Sequence, residues 1–399
     1  MPKVQLNQRG GYSQQPVSPV DLMGDDFATR VAFLRNSIPE VVELPQLTGT
    51  STSKQQVEIP NAGLMRLIRL HVSARFSIAN HDNEDYSPDG IFKIFEKVQF
   101  KDQANQTRID CESYSLYKLS ASKSHAGQDP RWATRTTADS AALVAQPDIS
   151  AGNGTNYKLS TWFDLPFTWS EFDTRGLVNL SSAGRDAILY LTLAPPAGPD
   201  DTYMINLASK GTAGSTTVTW DDITITPVLY AYTPTAQQQS RGVSLAIPYK
   251  DLQIVQEILD TNKQILKGTE TYQKLPPNRT VHRVLQHNIL DGMQGDGTID
   301  VETGDTSAGM DRVLFRYDNR NKPVDERSAD YKRDTRDYTS RDYNYIIHDF
   351  SKHPWDSLLV PQLDVGGHYT SDAFTDTGVL YTTIQNLYIS PVVPATVPA

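Results

Sequence analysis

The stretch from Tyr157 to Pro195, YKLSTWFDLPFTWSEFDTRGLVNLSSAGRDAILYLTLAP, constrains the fold more than any other part of the chain. Tyr157 to Leu165 is aromatic-rich and alternates, as a half-buried strand does. Pro166 stops the ladder because it has no amide hydrogen to donate. Trp169 and Phe172 follow among polar residues, and Gly176 lets the backbone turn. A second strand then places Leu189, Leu191 and Leu193 on one face and Ile188, Tyr190 and Thr192 on the other. Two such strands joined by a long structured connection predict the core of a β-sandwich. Strand alternation also requires Trp162 and Phe163 to face opposite sides of one sheet.

Single cores stop growing near roughly 250–300 residues, so a chain of 399 is expected to form two domains. Its 24 Gly and 24 Pro punctuate short apolar runs, the pattern of an all-β protein. The net charge of -10 argues against binding along nucleic-acid phosphates or anionic lipid. Cys111 is the sole cysteine, so no intrachain disulfide is possible, and it lacks the paired His motif of a thiol nucleophile. No apolar run approaches about 18 residues, and MPKVQLNQRGGYSQQP lacks the apolar region of a secretory signal.

The leading segment is polar up to residue 24. In DDFATRVAFLRNSIP, Asp25 or Asp26 caps a helix, with Phe27, Val31 and Leu34 on one face and Pro39 as its stop. That stripe packs on the base of its own subunit, or it contacts a neighbour or a membrane surface. Further strands are expected at Val57–Pro60 and at Leu64–Ile78, where Leu70, Val72, Ala74, Phe76 and Ile78 share a face. Ile91–Phe100 fits a strand or a helix, and residues 112–125 read as helical. Residues 126–156 read as a long surface excursion, and a strand pair is expected around Val218–Tyr232. The best linker is TPTAQQQSRG at 233–242. Beyond it, Asp251–Lys267 puts Leu252, Val255, Leu259 and Leu266 on a helical stripe. Strands follow at Val281–Leu290 and Val313–Tyr317. In VLYTTIQNLYI (379–389), Val379, Tyr381, Thr383, Gln385, Leu387 and Ile389 share a face.

Candidate chemistry is sparse. Asp296, Asp300, Glu302 and Asp305 offer oxygen ligands for calcium, but Met293 and Gly295 break the EF-hand pattern, so a solvated acidic loop is the simpler reading. His348 and His353 are five apart, wrong for a helical zinc pair, and His368 stands farther off. Glu171 and Asp173 fit a glycosidase pair only if folding sets their separation. The acids and bases of Lys322–Asp342 nearly balance, which suits a solvated helix or a polar interface. No GxSxG, P-loop or strand-borne GxGxxG occurs. The chain is therefore expected to have no catalytic residues, no cofactor and no bound metal.

Four stretches, in order, resemble the major capsid protein of tectivirus-type double jelly-roll viruses. They are IFKIFEKVQFKDQANQTRIDCESYSLYKL (91–119), YKLSTWFDLPFTWSEFDTRG (157–176), IPYKDLQIVQEIL (247–259) and NYIIHDFSK (344–352). The resemblance implies an all-β chain of two tandem eight-stranded jelly-roll sandwiches with short accessory helices and long loops. The implied division is 1–44 tail and short helix, 45–240 first jelly roll, 241–391 second jelly roll and 392–399 C-terminal tail. It implies a pseudo-hexagonal homotrimer tiling an icosahedral virion shell over an internal membrane, made in the host cytoplasm. The implied partners are neighbouring capsomers, penton and minor capsid proteins, with no direct nucleic-acid contact. Phe27, Val31 and Leu34 are implied to lie at the base, towards neighbours or lipid. Residues 126–156 and 291–305 match no pattern of the family and are expected in outward loops. A β-sandwich carbohydrate-binding or glycan-active protein and a calcium-stabilised adhesive protein are the competing readings.

Overall fold

The structure is a computed structural model. It describes residues 25–50, 54–81, 85–87, 90–121, 147–149, 153–169, 173–180, 186–199, 202–207, 216–234, 248–265, 271–274, 279–290, 312–317, 321–327, 346–349, 358–360, 368–371 and 378–390. Helix α1 (Phe27–Asn36) leads into β1 (Ser37–Glu43), β2 (Leu47–Thr48), β3 (Gln55–Ile59), β4 (Leu64–Ala79) and β5 (Asp85–Tyr86). Then come β6 (Phe95–Lys101), β7 (Thr107–Cys111), helix α2 (Ser113–Ala121), β8 (Gly154–Pro166), β9 (Val178–Asn179) and β10 (Ala187–Leu193). Strands β11 (Ala197–Gly198), β12 (Ile205–Asn206) and β13 (Thr217–Pro234) complete the first half. The second opens with helix α3 (Tyr249–Gln253), β14 (Ile254–Ile265), β15 (Thr271–Lys274) and β16 (Arg279–Leu290). It continues through β17 (Arg312–Tyr317), β18 (Asn321–Arg327), β19 (Ile346–Asp349), β20 (Leu358–Val360), β21 (His368–Ser371) and β22 (Gly378–Ile389).

The main strands of the first half form two antiparallel layers, β1-β13-β4-β8 and β7-β6-β10-β3. The second half repeats the plan: β16, β22 and β14, extended by β19 and β20, form one layer, and β15-β21-β17-β18 the other. These are two tandem jelly-roll sandwiches, so the all-β expectation holds. The halves are joined through their sheets. Strand β14 lies parallel to β7, pairing Ile258 with Ile109 and Leu259 with Asp110, which makes one nine-stranded sheet of layers from both barrels.

The first core forms because apolar residues alternate. On β4, Leu70, Val72, Ala74, Phe76 and Ile78 all point inward and are buried. Phe163 on β8 reaches across to Phe95 on β6, with ring centroids 5.6 Å apart at 71°. Such edge-on aromatic pairs add about 0.5–1.5 kcal/mol beyond the area they bury. Trp162 points to the other side of the sheet, under the Arg69 guanidinium at 4.4 Å, as the alternation requires. Pro166 is the last residue of β8. Gly176 adopts φ +90°, and a Cβ there would lie 2.1 Å from the Phe167 carbonyl oxygen, so only glycine fits.

Three expectations are corrected. Asp251–Lys267 is not a helix: α3 ends at Gln253, and β14 runs on to Ile265. Ile254, Val255 and Ile258 are β-branched and all buried, and a strand covered on both faces shows no alternation to betray it. Val218–Tyr232 is not a strand pair but part of a single long strand, β13, with an irregularity at Trp220/Asp222. Helix α1 stops at Asn36, ahead of Pro39, and β1 extends the first sheet back into the segment read as leading tail. The expected domain boundary at 240/241, the acidic loop 291–305 and most of 126–156 lie outside the described residues.

Candidate functional site

Helix α1 is capped by Asp26, whose carboxylate accepts the Thr29 N–H at 2.7 Å. That bond holds the Asp26 carboxyl below its ordinary value. One turn on, Arg30 reaches the start of the second barrel. Its Nε donates to Asp251 Oδ2 at 2.8 Å and its Nη2 to Asp251 Oδ1 at 3.1 Å. Asp251 is fully buried in α3. It also accepts the Asp25 N–H at 2.8 Å and the Thr174 hydroxyl. The exchange is reciprocal, because Asp25 Oδ2 accepts the Lys250 and Asp251 N–H groups at 2.8 and 3.1 Å. Asp251 thus ties together the leading helix, the connection after β8 and the entrance to the second barrel.

An apolar cluster backs this hub. Phe33 is fully buried with Leu64, Leu177 and Leu252, and Tyr232 meets its ring edge-on at 5.6 Å. Of the residues predicted for the helix surface, Leu34 packs beside this cluster, Val31 is half-buried, and Phe27 is 81% exposed. The face that docks carries Arg30 and Phe33. A purely apolar stripe rule passes over it because a charge interrupts it, and that half-buried charge finds its partner more than 200 residues away.

A second polar contact fastens the seam where β7 meets β14. The Asp260 carboxylate accepts the Glu112 N–H at 2.8 Å and the Ser115 hydroxyl at 3.0 Å, and Thr383 donates to Ser115 at 2.8 Å. Burial pushes the Asp260 carboxyl up to about 7, against the hydrogen bonds it accepts from Glu112 and Ser115. Burial, then the charge of Asp260, pushes Glu112 up to about 8. Trp169 extends the seam: the Arg283 guanidinium lies 4.5 Å from its ring and His282 packs 5.2 Å away. Gln256 Nε2 donates to the Pro166 carbonyl at 2.9 Å, so the proline that ends β8 is also a contact between barrels.

The other candidates fall away from this site. Asp173 is held by Arg175 at 2.8 Å, and Glu171 lies outside the described residues, as do the side chains of His348, His353 and His368. Burial raises the Cys111 thiol well above its ordinary value, which suppresses the thiolate. Among the described residues no group of three or more His, Cys, Asp or Glu is placed to hold a metal, and no helix is long and apolar enough to cross a membrane. The arrangement holds two barrels and a helix in fixed register.

No protein-family model matches the chain, and no curated protein matches it. Solved structures do share its fold. The major capsid protein of Sulfolobus turreted icosahedral virus superposes with a TM-score of 0.63 at 11% identity, over 88% of this chain and 97% of that one. The Faustovirus major capsid protein gives 0.55 at 10% identity, over 89% and 91%. A chain of the PBCV-1 virus capsid gives 0.55 at 10% identity, over 88% and 94%. The common feature is the double jelly roll.

Proposed function

We propose that this chain is a structural subunit of a viral capsid, without catalytic activity. The observation that carries the reading is the tandem double jelly roll, shared over 88% of this chain with the Sulfolobus turreted icosahedral virus protein. Two similar barrels side by side give each subunit two similar outer sides. Three copies in a closed ring then present six, and one kind of block tiles a hexagonal net. The finer reading is a homotrimer in an icosahedral shell over an internal membrane, meeting neighbouring capsomers, penton and minor capsid proteins and made in the host cytoplasm. In that reading 45–240 and 241–391 are the two barrels, and α1 lies at the base with Phe27 outward and Val31 and Leu34 turned partly inward. The acidic balance supports it, because a shell separated from its genome by lipid needs no basic lining. Size-exclusion chromatography with light scattering tests the assembly unit: the expected mass is three times 44.4 kDa, and a stable monomer at all concentrations would refute the trimer.

A further inference from the structure

A cavity of roughly 90 Å³ lies where the barrels meet, close to the Pro166–Gln256 contact. The first barrel supplies Leu67 from β4, Leu116 and Leu119 from α2, and Pro166 from β8; the second supplies Ile258 from β14. Three polar residues join these walls: Ser120, Asp164 and Gln385. The Asp164 carboxylate is already engaged, each oxygen accepting from Arg69 at 2.7 and 3.0 Å, so that pair adds no net charge. Gln385 is different. It is 1% exposed, and its buried Oε1 has no hydrogen-bond partner among the described residues. A buried acceptor without a donor is unfavourable, so a partner for it is expected. One water would leave most of this space unfilled, and five of its eight lining residues are apolar.

We propose that this seam cavity binds a small, neutral, mostly apolar molecule carrying one hydrogen-bond donor, in its simplest form a short-chain alcohol. The hydroxyl donates to Gln385 Oε1, and the alkyl part lies against Leu116, Leu119 and Ile258. The size fits: engineered apolar cavities of about 150 Å³ hold benzene, so the smaller space here suits a chain of four or five heavy atoms. Because the walls come from both barrels, an occupant bridges them and stabilises the junction as any ligand of the folded state does. The site is independent of the capsid reading and stands or falls without it.

The test is a saturation-transfer NMR titration of the full-length chain with 1-butanol. Saturable binding in the millimolar range is expected. Gln385→Leu should weaken it roughly tenfold, the equivalent of one lost hydrogen bond. Leu116→Phe, which fills the space, should abolish it, with Leu119→Phe as a second filling variant should the first fail to fold. Absence of saturable binding to the unmodified chain, meaning the cavity holds water only, would overturn the proposal. So would binding that persists unchanged in a folded filling variant, because the alcohol would then sit elsewhere.

Discussion

The two barrels solve the same packing problem with different residues. In the first, β4 and β8 turn an apolar face to the core, with Leu70, Val72, Phe76 and Phe163 buried, while Ser73 and Arg75 on the other face of β4 are exposed. In the second, the central strands are covered on both sides: Ile254–Ile258 and Thr382–Tyr388 are buried without a break. Those runs include Gln256, Glu257, Thr382, Thr383, Gln385 and Asn386. On β14, Gln256, Ile258 and Asp260 share the face that meets the first barrel. Greasy burial on both faces would hold the barrels together without fixing their register. Directional contacts such as Asp260 with Ser115, and Asp251 with Arg30, fix it.

Disrupting the hub should separate the two behaviours most sharply. Asp251→Ala leaves Arg30 and the Asp25 N–H without their buried acceptor, and breaking such a pair costs about 3–5 kcal/mol. In hydrogen exchange the amides of β14 should lose protection before those of β4, and equal loss in both would show that the hub does not hold the second barrel. Phe33→Ala empties the apolar backing of the same hub and should destabilise by about 3 kcal/mol in urea unfolding, with α1 released. The next effect is one of pH. The folded pKa values of Asp260 and Glu112, about 7 and about 8, lie above their ordinary values of 3.8 and 4.5. The native state therefore holds protons that the unfolded chain has released, and stability falls as pH rises from about 4 to about 8. Melting temperature should drop across that window, and Glu112→Gln should flatten the slope; an unchanged slope would mean that this seam does not titrate. The smallest effect on the isolated chain belongs to Phe27. Phe27→Ser should change stability by less than about 0.5 kcal/mol, because the ring is exposed, while assembly yield measured by sedimentation should fall.

How much of this was legible from the sequence follows the same contrast. Leu70 to Ile78 and Leu189 to Leu193 could be read directly, because each strand has one wet face and alternates. Ile254 to Ile265 could not: β14 is buried on both faces along its first residues, and its spacing satisfies a helical stripe equally well. The expected strand pair around Val218–Tyr232 is one strand, β13, which takes up an extra residue as a bulge with Asp221 bonded to Ser77. The hub was the least legible part. Nothing near Asp251 announces a partner at Arg30, since an ion pair between residues 221 apart is a property of the fold rather than of any local pattern. The Leu165-Pro166 break and Gly176 were readable because each enforces a backbone event on its own.

The most direct measurement of the central claim is electron microscopy of the assembly formed by the full chain. A capsid double jelly roll predicts pseudo-hexagonal, three-fold blocks packed in a regular net, each block showing six barrel-sized densities. Isolated single-chain particles that form no lattice under any assembly condition would contradict it.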